Sequence, residues 1–325
     1  MLKNIRVAIT CGWIGEHTCF QPMRDAGVEY TPIQLKDWEN EYDAAMQDYD
    51  CILLGGERFD KKRFDKLPRL KLLMRHGTGY DAIDVGYASE IGVAVANTPG
   101  ANADSVAQFA LTLMMCVGQQ IMQYNNACKG ISAWPQKMAK VLEGTVGIIG
   151  FGMIGRRLAK LLTVFPVDKI LAYDPYVDAA VMEAAGAEKC NLRDIQEKAD
   201  IISIHAQSIP ETYHMINKEF FDGLKKEIIL INTSRGQLVD EIALIEALGS
   251  GKVSGAGLDV LEVEKYDRGN PLIFMPNVVV TPHVATNNLS CRISVNEFCS
   301  RAIVDFFSGR PVKSIVNPAY KKNAR

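Results

Sequence analysis

Residues 145–174 read TVGIIGFGMIGRRLAKLLTVFPVDKILAYD, and the order of their parts decides the fold. The apolar run 146–149 is short and β-branched, which favours a buried strand. Gly150, Gly152 and Gly155 follow in Gly-x-Gly-x-x-Gly spacing. A helical pattern comes next, with Ile154, Leu158, Leu161 and Leu162 on one face. A second strand-like run, 169–173, ends in Asp174. Each part has a physical job. Gly150 permits a tight turn, Gly152 lets backbone approach a pyrophosphate, and Gly155 lets helix pack on strand. The free N–H groups of the helix start face the phosphates. An acid about 20 residues further on can bind the adenosine ribose. A lone glycine triplet could be a turn without a ligand. Strand, triplet, helix, strand and acid in order point to a dinucleotide site.

The rest of the composition narrows the class. A chain of 325 residues has room for two domains. Its 48% apolar and 23% charged content is that of a globular protein. The net charge of −2 comes with no arginine-rich stripe, so nucleic acid is a poor partner. No apolar run reaches spanning length, so no membrane partner is expected. The N-terminal apolar stretch is too brief for a signal and reads as a strand. A cytoplasmic protein is expected. None of the eight cysteines forms Cys-x-x-Cys. Reduced, mostly buried thiols are expected, with no disulfide and no metal site.

Strand and helix alternate along the whole chain. Strands are expected at 5–10, 49–54, 70–74 and 93–96, with a helix over 18–26 stopping at Gly27. Asn102 or Asp104 caps a long helix, with apolar Val106, Phe109, Ala110, Leu113, Met114 and Val117 continuing towards Cys128. Part of that helix could face a second subunit. Further strands are expected at 199–205, 228–232, 253–256 and 278–281. Their carboxyl ends carry His205, Arg235, Asp259 and His283, where open parallel sheets bind ligands. His17, His76 and His214 read as structural. Lys321, Lys322 and Arg325 read as a frayed basic tail.

The stretches RHGTGYDAID, NTPGANADSVAQFAL, TVGIIGFGMIGRR, ADIISIHAQSIPETYHMIN, INTSRGQLVDEIALIEAL, GAGLDVLEVE and VVVTPHVA together resemble the D-2-hydroxyacid dehydrogenase family. That family includes D-lactate, glyoxylate/hydroxypyruvate and D-3-phosphoglycerate dehydrogenases. The resemblance implies an α/β protein with a Rossmann-type NAD-binding domain, 101–284. This is inserted into a flavodoxin-like substrate domain with a parallel sheet, 1–100 and 285–325. It implies NAD as cofactor, a small 2-keto or 2-hydroxy acid as substrate, and a homodimer through the NAD-binding domain. By the family pattern Arg235 holds the substrate, His283 is the acid–base and Glu264 pairs with it. Gly77, Thr78 and Gly79 receive the substrate carboxylate. Met153 and Ile154 match the pyrophosphate turn. His205, Ala206, Gln207, Thr212, Thr233, Ser234 and Asp259 match positions lining the cofactor. Gln207 stands where the family often has proline, and the tail of TPHVATNN departs from the commoner variants. Both touch the detail of the pocket and leave the substrate's side group open.

The chemistry agrees with these residue types. Reducing a 2-keto acid needs a hydride, a proton and a cation for the carboxylate. Arginine offers a planar fork that stays charged. Histidine titrates at about 6.5, and a carboxylate beside it favours the imidazolium and fixes its tautomer. Two other readings use the same scaffold: an NAD(H)-sensing corepressor-like binding protein, and a formate or phosphite dehydrogenase. The first does not need Arg235, Glu264 and His283 together. Against the second, the loop at Gly77–Gly79 with those three residues favours 2-hydroxy acids.

Overall fold

The computed structural model describes residues 2–11, 18–33, 46–264 and 269–324. The chain divides into two compact units: Met1–Asn102 with Asn287–Arg325, and Ala103–Thr286.

The first unit holds β1 (Arg6–Ile9), β2 (Glu29–Pro32), β3 (Cys51–Leu54), β4 (Leu72–Arg75) and β5 (Ala94–Ala96). All pair in parallel, in the order β2-β1-β3-β4-β5. This is the flavodoxin-like order. A parallel sheet buries both faces, so its strands read as apolar runs rather than alternations. Cys51 and Leu53 face one core cluster, and Ile52 and Leu54 the other. The C-terminal helix Leu289–Phe307 adds Val295, Cys299 and Ile303 to the first cluster. Full burial of such a side chain stabilises by about 1.5–3 kcal/mol, which accounts for the return of the C-terminal segment to this unit.

The second unit holds β6 (Gly144–Ile149), β7 (Val167–Tyr173), β8 (Glu188–Lys189), β9 (Ile201–Ile204), β10 (Ile228–Asn232), β11 (Val253–Leu258) and β12 (Val278–Val280). The order is β12-β11-β10-β9-β6-β7-β8, again all parallel. Counted from β6, this is the Rossmann order with β12 added at one edge. The order reverses between β6 and β9, and the glycine turn follows β6 there. Ile228 and Leu230 face one core cluster, while Ile229 and Ile231 face the other.

Four expectations need correction. Strands β2 and β8 were not foreseen. Both are edge strands; β2 ends in Pro32, and β8 is two exposed residues, so neither carries an apolar run. The helix expected to continue to Cys128 is two helices, Ala103–Gly118 and Ile121–Cys128, bent by 56°. Between them Gln120 is left-handed, at φ 54°. The Gly118 carbonyl accepts the Lys140 N–H at 2.8 Å, and the Gln120 side chain donates to the Met138 carbonyl at 3.3 Å. The returning loop thus takes a carbonyl that a continuous helix would need. Asp104 is not a cap but lies inside the first turn, paired with Arg157 at 3.0 Å. The basic tail is not frayed: Pro318–Asn323 forms a 3₁₀ helix, and a Cβ on Gly92 would come 1.9 Å from the Asn323 carbonyl oxygen. Arg325 lies outside the described residues.

All eight cysteines are free thiols; Cys19, Cys51, Cys291 and Cys299 are buried, and Cys128 is exposed. Among the described residues no single helix is long and apolar enough to cross a membrane.

Candidate active site

The turn after β6 is built for close approach. Gly150 has φ +90°, and a Cβ there would lie 2.4 Å from the Ala206 nitrogen. A Cβ on Gly155 would lie 2.4 Å from the Gly150 carbonyl oxygen. A Cβ on Gly152 would meet nothing within 4 Å, so the space before it is open. Gly152 occupies the N-cap of the helix Met153–Leu162, whose first N–H groups face outward. Met153 is exposed, and Ile154 packs on the core. Asp174 accepts the Phe151 N–H at 2.8 Å and the Tyr176 N–H at 2.9 Å. The acid therefore also ties the glycine turn to the end of β7. A carboxylate has about four acceptor positions, so others remain for a ligand.

The ends of β9 and β10 supply unsatisfied polar atoms. His205 Nε2 lies 2.9 Å from the Ser203 hydroxyl, while its Nδ1 is buried without a partner. Burial lowers the His205 pKa to about 4, so the ring is neutral near pH 7. The Thr233 hydroxyl is likewise buried without a partner. The Ser234 hydroxyl donates to the Ala206 carbonyl. The Thr212 hydroxyl donates to the Gln207 carbonyl at 2.7 Å and accepts the Ile209 N–H at 3.0 Å, which closes that turn. Buried polar atoms of this kind call for a polar ligand or water. With the open front of Gly152 and the helix start, they fit a dinucleotide.

Arg235 follows β10. Its Nη1 donates to the Ser234 carbonyl at 2.8 Å, and the Asn232 side chain donates to the Arg235 carbonyl at 2.9 Å. A Cβ on Gly236 would lie 2.0 Å from the Leu261 carbonyl carbon, so no side chain fits there. The Gln237 side chain donates to the Glu262 carbonyl at 2.9 Å. Glu241 and Glu262 each accept the other's N–H, at 2.7 and 3.1 Å. These bonds join the arginine turn to the loop that carries Glu264.

His283 follows β12 in a left-handed conformation, φ 51°. For a residue with a Cβ this costs about 1–3 kcal/mol unless its surroundings enforce it. Here its N–H donates to the Asp259 and Thr281 carbonyls at 2.8 and 3.0 Å. The Asp259 carboxylate, 0% exposed, accepts the Thr281 hydroxyl at 2.6 Å and the Val284 and Ala285 N–H groups at 2.9 Å each. Asp259, expected to line the cofactor, thus anchors the histidine turn. His283 Nδ1 lies 2.9 Å from Glu264 Oε1 and 3.1 Å from Oε2. With Nδ1 engaged, Nε2 is the nitrogen left to exchange a proton.

In the first unit the loop after β4 presents N–H groups. Four consecutive carbonyls are taken. The Arg75 guanidinium donates to His76 at 2.5 Å and to Gly79 at 3.0 Å. The Thr98 N–H donates to Gly77 at 3.1 Å, and the Asn97 side chain to Thr78 at 2.8 Å. Gly77 has φ +142°, where side chains are rarely tolerated. The N–H groups of Thr78 and Gly79 find no acceptor among the described residues. Two adjacent free N–H groups form an anion nest.

Several contributors were not foreseen: Arg75, Asn97, Gly236 and the anchoring part of Asp259. Their partners lie on separate loops, and residue type alone carries no sign of them. Of the histidines read as structural, His76 Nε2 lies 2.9 Å from the Asn296 side-chain oxygen, and burial first of all lowers its pKa to about 4. His214 lies 2.8 Å from Glu262. His17 lies outside the described residues. His214, Asp240 and Glu262 hold ligand-type atoms within 4.8 Å of one another. Both acids in that group already accept backbone N–H groups.

A family model described as "D-isomer specific 2-hydroxyacid dehydrogenase, NAD binding domain" matches residues 111–285. A glyoxylate reductase of Korarchaeum cryptofilum is 34% identical over 279 residues, 84% of this chain and 84% of that one. A D-3-phosphoglycerate dehydrogenase of Archaeoglobus fulgidus is 34% identical over 273 residues, 83% of this chain and 51% of that one. The chain thus spans about half the length of that relative. The crystal structure of a D-lactate dehydrogenase from Aquifex aeolicus, complexed with NAD and lactic acid, superposes with a TM-score of 0.79. It is 26% identical, over 93% of this chain and 96% of that one.

Proposed function

The chain belongs to the D-isomer specific 2-hydroxyacid dehydrogenase family, and we propose from that premise that it interconverts a 2-oxo acid and a D-2-hydroxy acid with NAD. The observation that carries the reading is the His283–Glu264 pair, 2.9 Å apart at Nδ1 on an enforced left-handed turn. Bound NADH supplies the hydride. Gly150, Gly152, Gly155 and the first N–H groups of the following helix would hold the pyrophosphate, and Asp174 the adenosine ribose. The N–H groups of Thr78 and Gly79 receive the substrate carboxylate. Arg235 grips the carboxylate and carbonyl oxygens and polarises the carbonyl. His283 Nε2 gives its proton to the carbonyl oxygen in reduction and takes it back in oxidation. Glu264 fixes the tautomer and favours the imidazolium.

We also propose a homodimer through the second unit. Ile121, Met122, Ile131, Trp134 and Met138 are exposed on the bent helix pair and the loop after it, a denser apolar set than scattered surface residues.

The test is a panel of 2-oxo acids assayed for kcat/KM with NADH and with NADPH. Turnover of at least one acid is expected. The Asp174 charge should repel a 2′-phosphate: two charges about 4 Å apart at an effective dielectric of about 20 repel by roughly 4 kcal/mol before screening. After screening, NADH should exceed NADPH by about tenfold to a hundredfold. Equal values would remove Asp174 from the ribose site.

Glu264→Gln should act through pH. Its amide has no charge to favour the imidazolium. Reduction needs the protonated ring, so its activity should be lost from the alkaline side first. Oxidation needs the neutral ring, so its activity should extend to lower pH. Unmoved pH–rate profiles in both directions would show that the pairing has no part in catalysis.

A further inference from the structure

We propose that Glu57 is a specificity-determining residue, accepting a hydrogen bond from a hydroxyl on the carbon next to the substrate carbonyl. This rests on reading the N–H groups of Thr78 and Gly79 as the place of the substrate carboxylate.

The argument starts from the sheet. β3 and β4 are paired neighbours, with Leu54 opposite Arg75. Residues 55–57 therefore leave the sheet beside residues 76–78, about one strand spacing away. The His76 N–H still donates to the Leu54 carbonyl at 2.8 Å, so the two segments run together past the sheet end. A 2-oxo acid with its carboxylate on Thr78 and Gly79 must send its side group to one side of that loop. The β5 side is filled: the Asn97 side chain and the Thr98 N–H bond the loop carbonyls, and the Thr78 hydroxyl donates to the Thr98 carbonyl and the Asn102 side chain. The β3 side holds two glycines. A Cβ on Gly56 would meet nothing within 4 Å, so the space there is open.

Glu57 stands at the edge of that space. Its carboxylate folds over Gly55, where a Cβ would come 2.7 Å from both of its oxygens and 3.1 Å from the Cys11 Cβ. One oxygen, Oε2, is buried and has no hydrogen-bond partner. Burial raises the carboxyl's pKa, as it does for an acid short of donors, while Arg75 and Arg63 oppose the shift. Buried acceptors are normally satisfied. A substrate hydroxyl would supply the missing donor; an alkyl group of the same size would leave the oxygen unpaired. Sites built around a substrate hydroxyl discriminate strongly against analogues that lack it.

Two acids of nearly equal size test this with NADH: 3-hydroxy-2-oxopropanoate, which carries the hydroxyl, and 2-oxobutanoate, which carries a methyl in its place. The readout is the ratio of their kcat/KM values. The wild-type ratio should favour the hydroxy acid by at least about tenfold. Glu57→Met keeps the length and removes the acceptor, so the ratio should fall to about one or below. Glu57→Gln keeps one acceptor oxygen and loses the charge, and should give an intermediate ratio. A purely structural role would lower both acids together and leave the ratio at its wild-type value in both variants, which overturns the proposal. A wild-type ratio near one also overturns it. If the wild-type protein reduces no acid in the wider panel, the dehydrogenase reading itself fails.

Discussion

His283→Gln is expected to lower kcat for 2-oxo acid reduction by about 10²- to 10⁴-fold, the usual contribution of a positioned acid–base. NADH affinity should survive, because the glycine turn, Asp174 and the β9–β10 ends do not depend on this ring. The left-handed backbone at residue 283, φ 51°, complicates a single substitution. His283→Asn is the useful companion, since asparagine tolerates that region better than most residues. Loss of the proton donor predicts similar falls in kcat for both variants. Strain relief would make the asparagine variant more stable than the glutamine variant without restoring turnover. Pre-steady-state reduction and NADH titration on both proteins would separate these effects. A kcat within a few-fold of wild type in either variant would exclude His283 as the proton donor.

Arg235→Gln is expected to lower kcat/KM for the oxo acid by about 10²-fold or more, with KM raised and kcat reduced together. The arginine both anchors the acid and polarises its carbonyl, so its loss weakens binding and misplaces the reacting carbon. The guanidinium's bond to the Ser234 carbonyl, 2.8 Å, sets its direction from within the turn. Arg235→Lys should recover only part of the loss, because an ammonium keeps the charge but not the two-pronged grip. A change confined to KM would mean that Arg235 contributes binding alone. Full recovery by lysine would show that charge suffices.

Much of the fold was legible in the sequence because the signals are local. Gly150, Gly152 and Gly155 sit at fixed spacing in one short stretch. The runs at β3, β4 and β10 are apolar on both faces, which marks buried parallel strands. Arg235 and His283 were found as polar residues just beyond such runs. Edge strands β2 and β8 were missed for the converse reason: a strand with a solvated edge needs no apolar run.

Tertiary structure decided what depends on distant partners. The helix through Gly118 looks continuous in sequence, and Lys140 from a later loop interrupts it. Pro318–Asn323 looks like a loose basic tail, and Gly92 makes room for it to pack. Gly236 reads as one more turn glycine until Leu261 is seen where its side chain would be. Asp259 reads as a cofactor contact, yet its carboxylate holds Thr281, Val284 and Ala285. Arg75 looks like a polar end to β4, yet it fixes the carbonyls of the anion-binding loop. Sequence determines which segments become strands and helices through their own periodicity and backbone preferences. Which side chain satisfies a carbonyl on another loop depends on the distances and directions fixed once those elements have packed.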